Sequence, residues 1–122
     1  MADVETSLKE ALTIGGAIGA ALVDFDSGMT LGTAGGGGMD LEVAAAGNTD
    51  VVRAKMRTME QLGLDDEIED ILITLGEAYH LIRLVRSNRG NGLFFYLAIN
   101  KGQANLAMAR RQLQLIEQDL DL

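Results

Sequence analysis

The residues of this chain best suited to nucleophilic or acid–base chemistry are one histidine and three serines. His80 is the only histidine and cysteine is absent, so serine is the remaining candidate nucleophile. A hydrolytic triad needs a serine held beside the histidine. Ser7 falls in a helical pattern, Ser27 and Ser87 fall in turn-forming segments, and none sits in a Gly-x-Ser-x-Gly elbow. The sequence therefore predicts no enzyme, and it favours a structural role for His80.

Two glycine-rich segments are the candidates for a nucleotide site. Residues 15–19 read Gly-Gly-Ala-Ile-Gly, but a dinucleotide-binding loop follows a strand and precedes a helix, and here that order is reversed. Residues 35–38 are four glycines with no Gly-Lys-Ser/Thr after them, and Asp40 would repel a phosphate at the start of the next helix. We interpret the first segment as a helix stop and the second as a loop, and we expect no cofactor.

A run of acids, Asp65-Asp66-Glu67 followed by Glu69-Asp70, is the candidate metal site. A twelve-residue calcium loop places its acids at alternate positions around a central glycine, which this run lacks. Without cysteine there is also no thiolate set for zinc. The sequence predicts no metal centre, and it leaves open whether the run is a solvated strand entrance or an acidic docking face.

The net charge and the lengths of the hydrophobic runs limit the classes of partner that this chain can have. The formal net charge of −8 argues against nucleic acid, because binding to phosphates is driven largely by basic residues. Arg83, Arg86, Arg89 and Lys101 form a local basic segment, which indicates either solvated strand ends or a small patch for an anionic partner. The longest weakly charged stretch, residues 11–23, is shorter than the roughly 20 residues that span a bilayer. We expect a cytoplasmic chain without membrane insertion.

The elements that position these residues follow from hydrophobic periodicity. The pattern predicts a single α/β (α+β) domain over residues 1–122, in the order helix, strand, strand, helix, strand, strand, strand, helix. The predicted elements cover residues 2–13, 17–25, 29–33, 41–62, 67–75, 78–86, 93–100 and 106–120, with a turn at 87–92. Strand 93–100 is apolar on both faces, and the hairpin links are too short for crossovers. Helices from elsewhere in the chain must therefore cover both faces of the sheet.

The long helix carries more apolar side chains than one sheet face can cover. Val51 and Val52 are followed by Met56 and Met59, and methionine is an adaptable residue that both fills cores and forms binding surfaces. A core role alone and a core role combined with an interface remain open. Strand 67–75 is a second candidate surface, because the predicted order leaves it at one edge of the sheet.

The order of elements resembles the roadblock family, the dynein light-chain type of domain that also occurs in bacteria. Residues 19–24, Gly-Ala-Ala-Leu-Val-Asp, with Asp26-Ser27-Gly28, are similar to the first strand of that family and its turn. Residues 44–46 are three alanines in the long helix, and residues 104–110, Ala-Asn-Leu-Ala-Met-Ala-Arg, resemble the entry to the family's last helix. The resemblance covers nearly the whole chain, and its strength lies in the order and spacing.

This resemblance implies a profilin-like, five-stranded antiparallel sheet with helices on both faces. It also implies a homodimer that joins edge strands and packs the long helices, with an interface at Val52, Met56, Met59, Ile71 and Ile73. Bacterial relatives work with a Ras-like small GTPase as activators or scaffolds, so the expected function is non-catalytic regulation, and stimulation of GTP hydrolysis stays open. The alternative is a small-molecule sensor with a pocket between sheet and helix, where His80 or Tyr96 would supply the polar group.

Overall fold

The computed structural model describes residues 1–86 and 92–122 and contains the predicted elements in the predicted order. The elements are α1 (Val4–Leu12), β1 (Ala17–Asp24), β2 (Met29–Gly35), α2 (Leu41–Gln61), β3 (Asp70–Thr74), β4 (Ala78–Leu84), β5 (Leu93–Asn100) and α3 (Leu106–Asp119). β3 and β4 are shorter than predicted and β2 is two residues longer. The predicted turn at 87–92 lies outside the described residues except for Gly92.

The described strands form one antiparallel sheet in the order β2-β1-β5-β4-β3. β5 is the central strand and every residue in it except Asn100 is buried, as its apolar pattern on both faces predicts. β1 and β4 flank β5, whereas β2 and β3 form the two edges. The fold class predicted from the sequence is confirmed.

Helices cover both faces of the sheet. α1 and α3 pack on one face, where Leu8 and Leu113 meet Leu22, Phe95 and other side chains of β1, β4 and β5. α2 packs on the opposite face, where its buried residues meet the alternate side chains of the same strands. The buried side chains of this second cluster are Ala21, Val23, Leu41, Ala45, Val52, Ile82, Leu84, Phe94, Tyr96 and Ala98. α2 lies over the β1–β2 half of the sheet, so the β4–β3 half is less covered on this face.

Polar side chains fix where the helices begin. Asp3, Asp40 and Asn105 are the N-caps of α1, α2 and α3, and each side chain accepts a hydrogen bond from a free N–H of the first turn. No helix among the described residues is long and apolar enough to cross a membrane.

The four glycines at 35–38 connect β2 to α2 through backbone that other residues rarely adopt. All four have positive φ, between 55° and 122°. The N–H of Gly36 donates to the carbonyl of Ile18 at 2.9 Å, which holds the loop against β1. The segment is a structural connection, as the sequence suggested, although its first glycine still belongs to β2.

Candidate interaction site

β3 is an edge strand with no strand on its outer side in the part of the chain that the structure describes. It pairs only with β4, from Asp70 opposite Arg83 to Thr74 opposite Tyr79. Its residues are half-buried except for the exposed Thr74. A regular edge with apolar side chains on both faces presents free backbone N–H and C=O groups that another strand can pair with.

A groove of about 990 Å³ separates β3 from α2 on the face that α2 covers. α2 contributes Val51, Lys55 and Met59, while Ile68 and Ile71 line the strand side. The remaining lining residues are Asp65, Asp66, Glu67, Glu69, Asp70 and Arg86. The acidic run identified in the sequence therefore forms the rim of a groove whose walls are partly apolar.

The structure places four of the five predicted interface residues beside this groove or on its strand wall. Met56, Met59, Ile71 and Ile73 are all half-buried, so part of each side chain is accessible in the single chain. Val52 is 0% exposed and belongs to the core beneath α2. In the single chain the side chain of Val52 is therefore covered by the sheet, whereas the other four residues are partly accessible.

On the opposite face of the sheet, two ion pairs join α3 to β3 and β4, and neither pair was predicted from the sequence. Arg110 donates from Nε and Nη2 to the two carboxylate oxygens of Asp70, at 3.0 and 2.8 Å. Arg83 Nε donates to Glu117 Oε1 at 3.3 Å, and these two side chains are only 9% and 4% exposed. Leu72 packs against the apolar cluster beside them. The acid at the start of β3 is therefore neutralised by a bidentate arginine, which is a strong form of ion pair.

His80 and Tyr96, the two polar residues proposed for a ligand pocket, interact with each other. The Tyr96 hydroxyl lies 3.2 Å from His80 Nδ1 and 3.6 Å from Met39 Sδ, and the two rings meet edge to face at 5.3 Å. Burial lowers the pKa of His80; burial also raises the pKa of Tyr96, and a hydrogen bond with Asn48 partly opposes that rise. The two groups are positioned by each other, which is the structural role that the sequence favoured for His80.

The second edge of the sheet differs from the first. β2 pairs with β1 through a β-bulge, where the register shifts between Leu22 and Val23. A bulge bends the strand and makes its outer side a poor template for another strand. Met29 and Leu31 of β2 are 68% and 45% exposed, but they lie on this irregular edge. β3 is thus the edge better suited to regular pairing.

The candidate nucleophiles are not arranged for catalysis with the histidine. Ser7 is buried on α1, which packs on the face of the sheet opposite His80, and its Oγ has no hydrogen-bond partner among the described residues. Ser27 Oγ accepts from the backbone N–H of Met29 at 3.2 Å within the β1–β2 turn. Ser87 lies outside the described residues. Within residues 1–86 and 92–122, no three acids or histidines group as metal ligands.

Comparison with protein-family models and with curated protein sequences finds no match. Solved structures do match over almost the whole chain. The Roadblock/LC7 domain from Streptomyces avermitilis superposes with a TM-score of 0.80 at 12% identity, covering 96% of this chain and 93% of that one. Myxococcus xanthus MglB gives 0.73 at 17%, covering 92% and 83%. A structure described as MglB with tetrameric arrangement gives 0.65 at 15%, covering 93% and 86%.

Proposed function

We propose that this chain, which has the roadblock fold, is a homodimeric, non-catalytic regulator or scaffold of a Ras-like small GTPase. The observation that carries the proposal is the free, regular and apolar edge at β3, beside the half-exposed methionines of α2. The partner class comes from the roadblock resemblance, and it implies a role in the cytoplasm, where such GTPases act.

The edge and the groove together offer a surface of the right kind for a second copy. A standard protein interface buries roughly 800 Å² on each partner, which is about 12% of the 6711 Å² that this chain exposes. Ile71, Ile73, Met56 and Met59 each keep accessible apolar area that association would remove from water. Full burial of such a side chain is worth roughly 1.5–3 kcal/mol relative to full exposure, so partial gains at several residues add to the edge hydrogen bonds. Self-association also agrees with the tetrameric arrangement of one structural relative.

The arginines near β3 favour a mechanism in which the dimer positions the GTPase over one in which an arginine enters the GTPase active site. Arg83 and Arg110 pair with Glu117 and Asp70, and Arg86 lies 3.3 Å from a carboxylate oxygen of Glu67. An arginine that enters a GTPase site must exchange such a partner for phosphate oxygens. In our proposal the dimer instead presents a fixed surface that favours one arrangement of the GTPase switch segments.

The first experiment measures mass in solution. Size-exclusion chromatography with light scattering at micromolar concentration should give twice the 13.0 kDa of the single chain. The second measures binding of a purified Ras-like small GTPase, loaded with GDP or with a non-hydrolysable GTP analogue, by calorimetry. A difference in affinity between the two nucleotide states is the expected result. A strict monomer, or equal affinity in both states, would contradict the proposal.

The alternative function, a small-molecule sensor, makes a different prediction. A thermal-shift screen of small metabolites against the chain alone would reveal a ligand that stabilises it without any GTPase. Because His80 and Tyr96 already bond to each other, we expect no such stabilisation. A hit whose effect disappears in a Tyr96→Phe variant would favour the sensor over the regulator.

A further inference from the structure

We propose that a pocket at the C-terminal end of α2 binds a segment of another protein whose apolar side chains are flanked by lysine or arginine. The pocket, called here the α2-end pocket, holds about 470 Å³ between the last turns of α2 and the ends of β1 and β4. It shares Met59 and part of the acidic run with the groove beside β3, whereas Phe25, Leu64 and Leu84 line only the α2-end pocket. The proposal concerns a second partner and stands apart from the proposed function.

The interior of the α2-end pocket is apolar, and part of it is accessible to solvent in the single chain. Leu84 and Val85 are 6% and 5% exposed and belong to the core. The other apolar lining residues are half-buried or exposed, and they are Phe25, Met56, Met59, Leu64 and Ile68. Covering these side chains with a partner is favourable because it removes apolar area from water. A contiguous exposed apolar patch with a polar rim is typical of an interaction site.

Backbone hydrogen bonds hold Leu64 at the rim of this pocket. Leu64 N–H donates to Met59 C=O and Gly63 N–H donates to Glu60 C=O, both at 3.0 Å. With a φ of 67° at Gly63, these two bonds form a Schellman motif, which turns the chain back against the last turn of the helix. Leu64 is 52% exposed and Leu62 is 65% exposed. Two exposed leucines therefore extend the apolar surface outward from the pocket, at positions that the backbone fixes before a partner binds.

The rim of the α2-end pocket is acidic. Residues 58–70 carry six acids and no base, and Glu60, Asp66 and Glu67 of this run line the pocket. Arg86 is the one basic lining residue in the part of the chain that the structure describes, and its Nη1 lies 3.3 Å from Glu67 Oε2. Glu60 and Asp66 form no ion pair with any described residue. The acidic run that the sequence left open as a docking face thus borders an apolar pocket.

The end of α2 adds to the negative potential of this rim. The carbonyl groups at the C-terminus of a helix carry a partial negative charge that basic side chains in the last turn commonly complement. The last turn of α2 contains no basic residue. On the other side of the pocket Asp26 approaches Gly92, a lining residue, because a Cβ built on Gly92 would lie 3.7 Å from Asp26 Oδ2. A basic side chain from a partner would therefore be attracted from both sides.

An apolar interior with an acidic rim selects one class of partner. Nucleic acids and anionic membrane surfaces present negative charge, which this rim repels. A two-fold contact at this site would bring two acidic rims together, which disfavours a second copy of the chain. The exposed leucines extend the contact beyond the reach of a small molecule held inside about 470 Å³. A protein segment with apolar anchors and flanking basic residues is complementary to all of these features.

The test titrates the chain into a short fluorescein-labelled peptide of leucine and lysine, with the leucines at helical spacing, and follows the fluorescence anisotropy. Two comparison peptides keep the spacing: one replaces every leucine by serine, and the other replaces every lysine by glutamate. Leu64→Ser removes an apolar contact, and Asp66→Asn removes a charge from the rim. The matched control for the first is Leu31→Ser on β2, because Leu31 is 45% exposed and Leu64 is 52% exposed. The control for the second is Asp50→Asn, an exposed position of α2 outside the pocket.

We expect the leucine–lysine peptide to bind roughly fivefold more weakly to Leu64→Ser and roughly two- to threefold more weakly to Asp66→Asn, with both controls equal to the parent. Added salt should weaken binding to the parent more than binding to Asp66→Asn. The second variant keeps the test decisive if Leu64→Ser does not fold.

Three results would overturn the proposal: no binding of the leucine–lysine peptide, equal binding by the parent and Asp66→Asn, or equal binding of the serine peptide. Light scattering without peptide should give the same mass for Leu64→Ser and the parent. A lower mass for the variant would make a second copy the occupant and would also overturn the proposal. A monomeric parent that still binds the peptide would contradict the proposed homodimer and leave the α2-end pocket supported.

Discussion

The buried pair between Arg83 and Glu117 gives the sharpest prediction about stability. Replacing Glu117 by glutamine keeps the shape of the side chain and removes its charge, so the guanidinium of Arg83, 9% exposed, loses its counter-charge. Breaking a buried ion pair on one side costs about 3–5 kcal/mol. Asp70 lies directly opposite Arg83 on β3 and offsets part of this cost, although Arg110 already holds it. We therefore expect Glu117→Gln to lower the free energy of unfolding by about 3 kcal/mol, the lower end of that range.

A loss of this size is large for a chain of 122 residues. Total unfolding free energies are about 5–15 kcal/mol, and at this length each kcal/mol shifts the melting temperature by roughly 4 °C. We therefore expect Glu117→Gln to melt roughly 12 °C lower. Urea unfolding followed by circular dichroism, at one fixed protein concentration, gives the free energy. The fixed concentration matters because formation of the proposed dimer would add to the apparent stability.

The double variant Arg83→Met with Glu117→Leu is the second half of this test. It removes both charges and fills the site with apolar atoms, so its stability should lie within about 1 kcal/mol of the parent or above it. The matched control is the exposed pair between Lys9 and Glu5, where Glu5→Gln should cost less than about 0.5 kcal/mol. A cost below about 1 kcal/mol for Glu117→Gln, or a double variant as unstable as the single one, would refute the reasoning from burial.

Three further predictions test the edge, the histidine and the helix. Ile73→Lys should halve the mass measured by light scattering because it puts a charge on the apolar edge, whereas Thr33→Lys on the other edge should leave that mass unchanged. Because burial lowers the pKa of His80, the unfolded chain takes up a proton before the folded chain does as pH falls below about 6.5. The contribution of His80 to the free energy of unfolding should therefore be constant above that pH and decline below it by at most about 1.4 kcal/mol per pH unit. A His80→Gln variant should lack this decline between about pH 6.5 and 5. Gly47→Ala should raise the free energy of unfolding by up to about 1 kcal/mol, because the added Cβ meets nothing within 4 Å. Gly19→Ala should lower it, because its Cβ would lie 2.8 Å from the backbone of Gly36. Equal melting temperatures for the two variants would contradict both statements.

Most of the fold was predictable from the sequence because each element has a strong local pattern. The continuous apolar run of residues 93–100 predicted β5 with its observed bounds, and the helical pattern over residues 41–62 predicted the end of α2 to within one residue. The start of β3 was not predictable from periodicity alone. Residues 67–69, Glu-Ile-Glu, were included in the predicted strand, but the ladder to β4 begins at Asp70, where Arg110 from α3 meets the chain. That contact spans 40 positions in sequence, and no local window contains it.

The candidate site was predictable in part. The edge position of the 67–75 segment followed from the order of the elements and is confirmed. The full burial of Val52 was not predictable, because helical spacing gives the apolar stripe of α2 but not which side of that stripe meets the sheet. Arg83 was grouped with exposed bases, although its alternation with Leu81 on one face of β4 was a signal of burial. Its partner Glu117 could not be identified, because a helix position that suits solvent equally suits a buried counter-charge.

In the proposed dimer, the bulge in the β1–β2 ladder would limit how far the joined sheet can grow. A two-fold contact through β3 uses the same strand on both copies, so the joined sheet ends in two β2 strands and offers no further β3 edge. If β2 were as regular as β3, sheets could add end to end without limit and form fibres. The register shift between Leu22 and Val23 twists that outer edge away from regular pairing. In the proposed dimer, the two-fold contact would use the β3 edge of each chain, and the irregular β2 edge would discourage further growth.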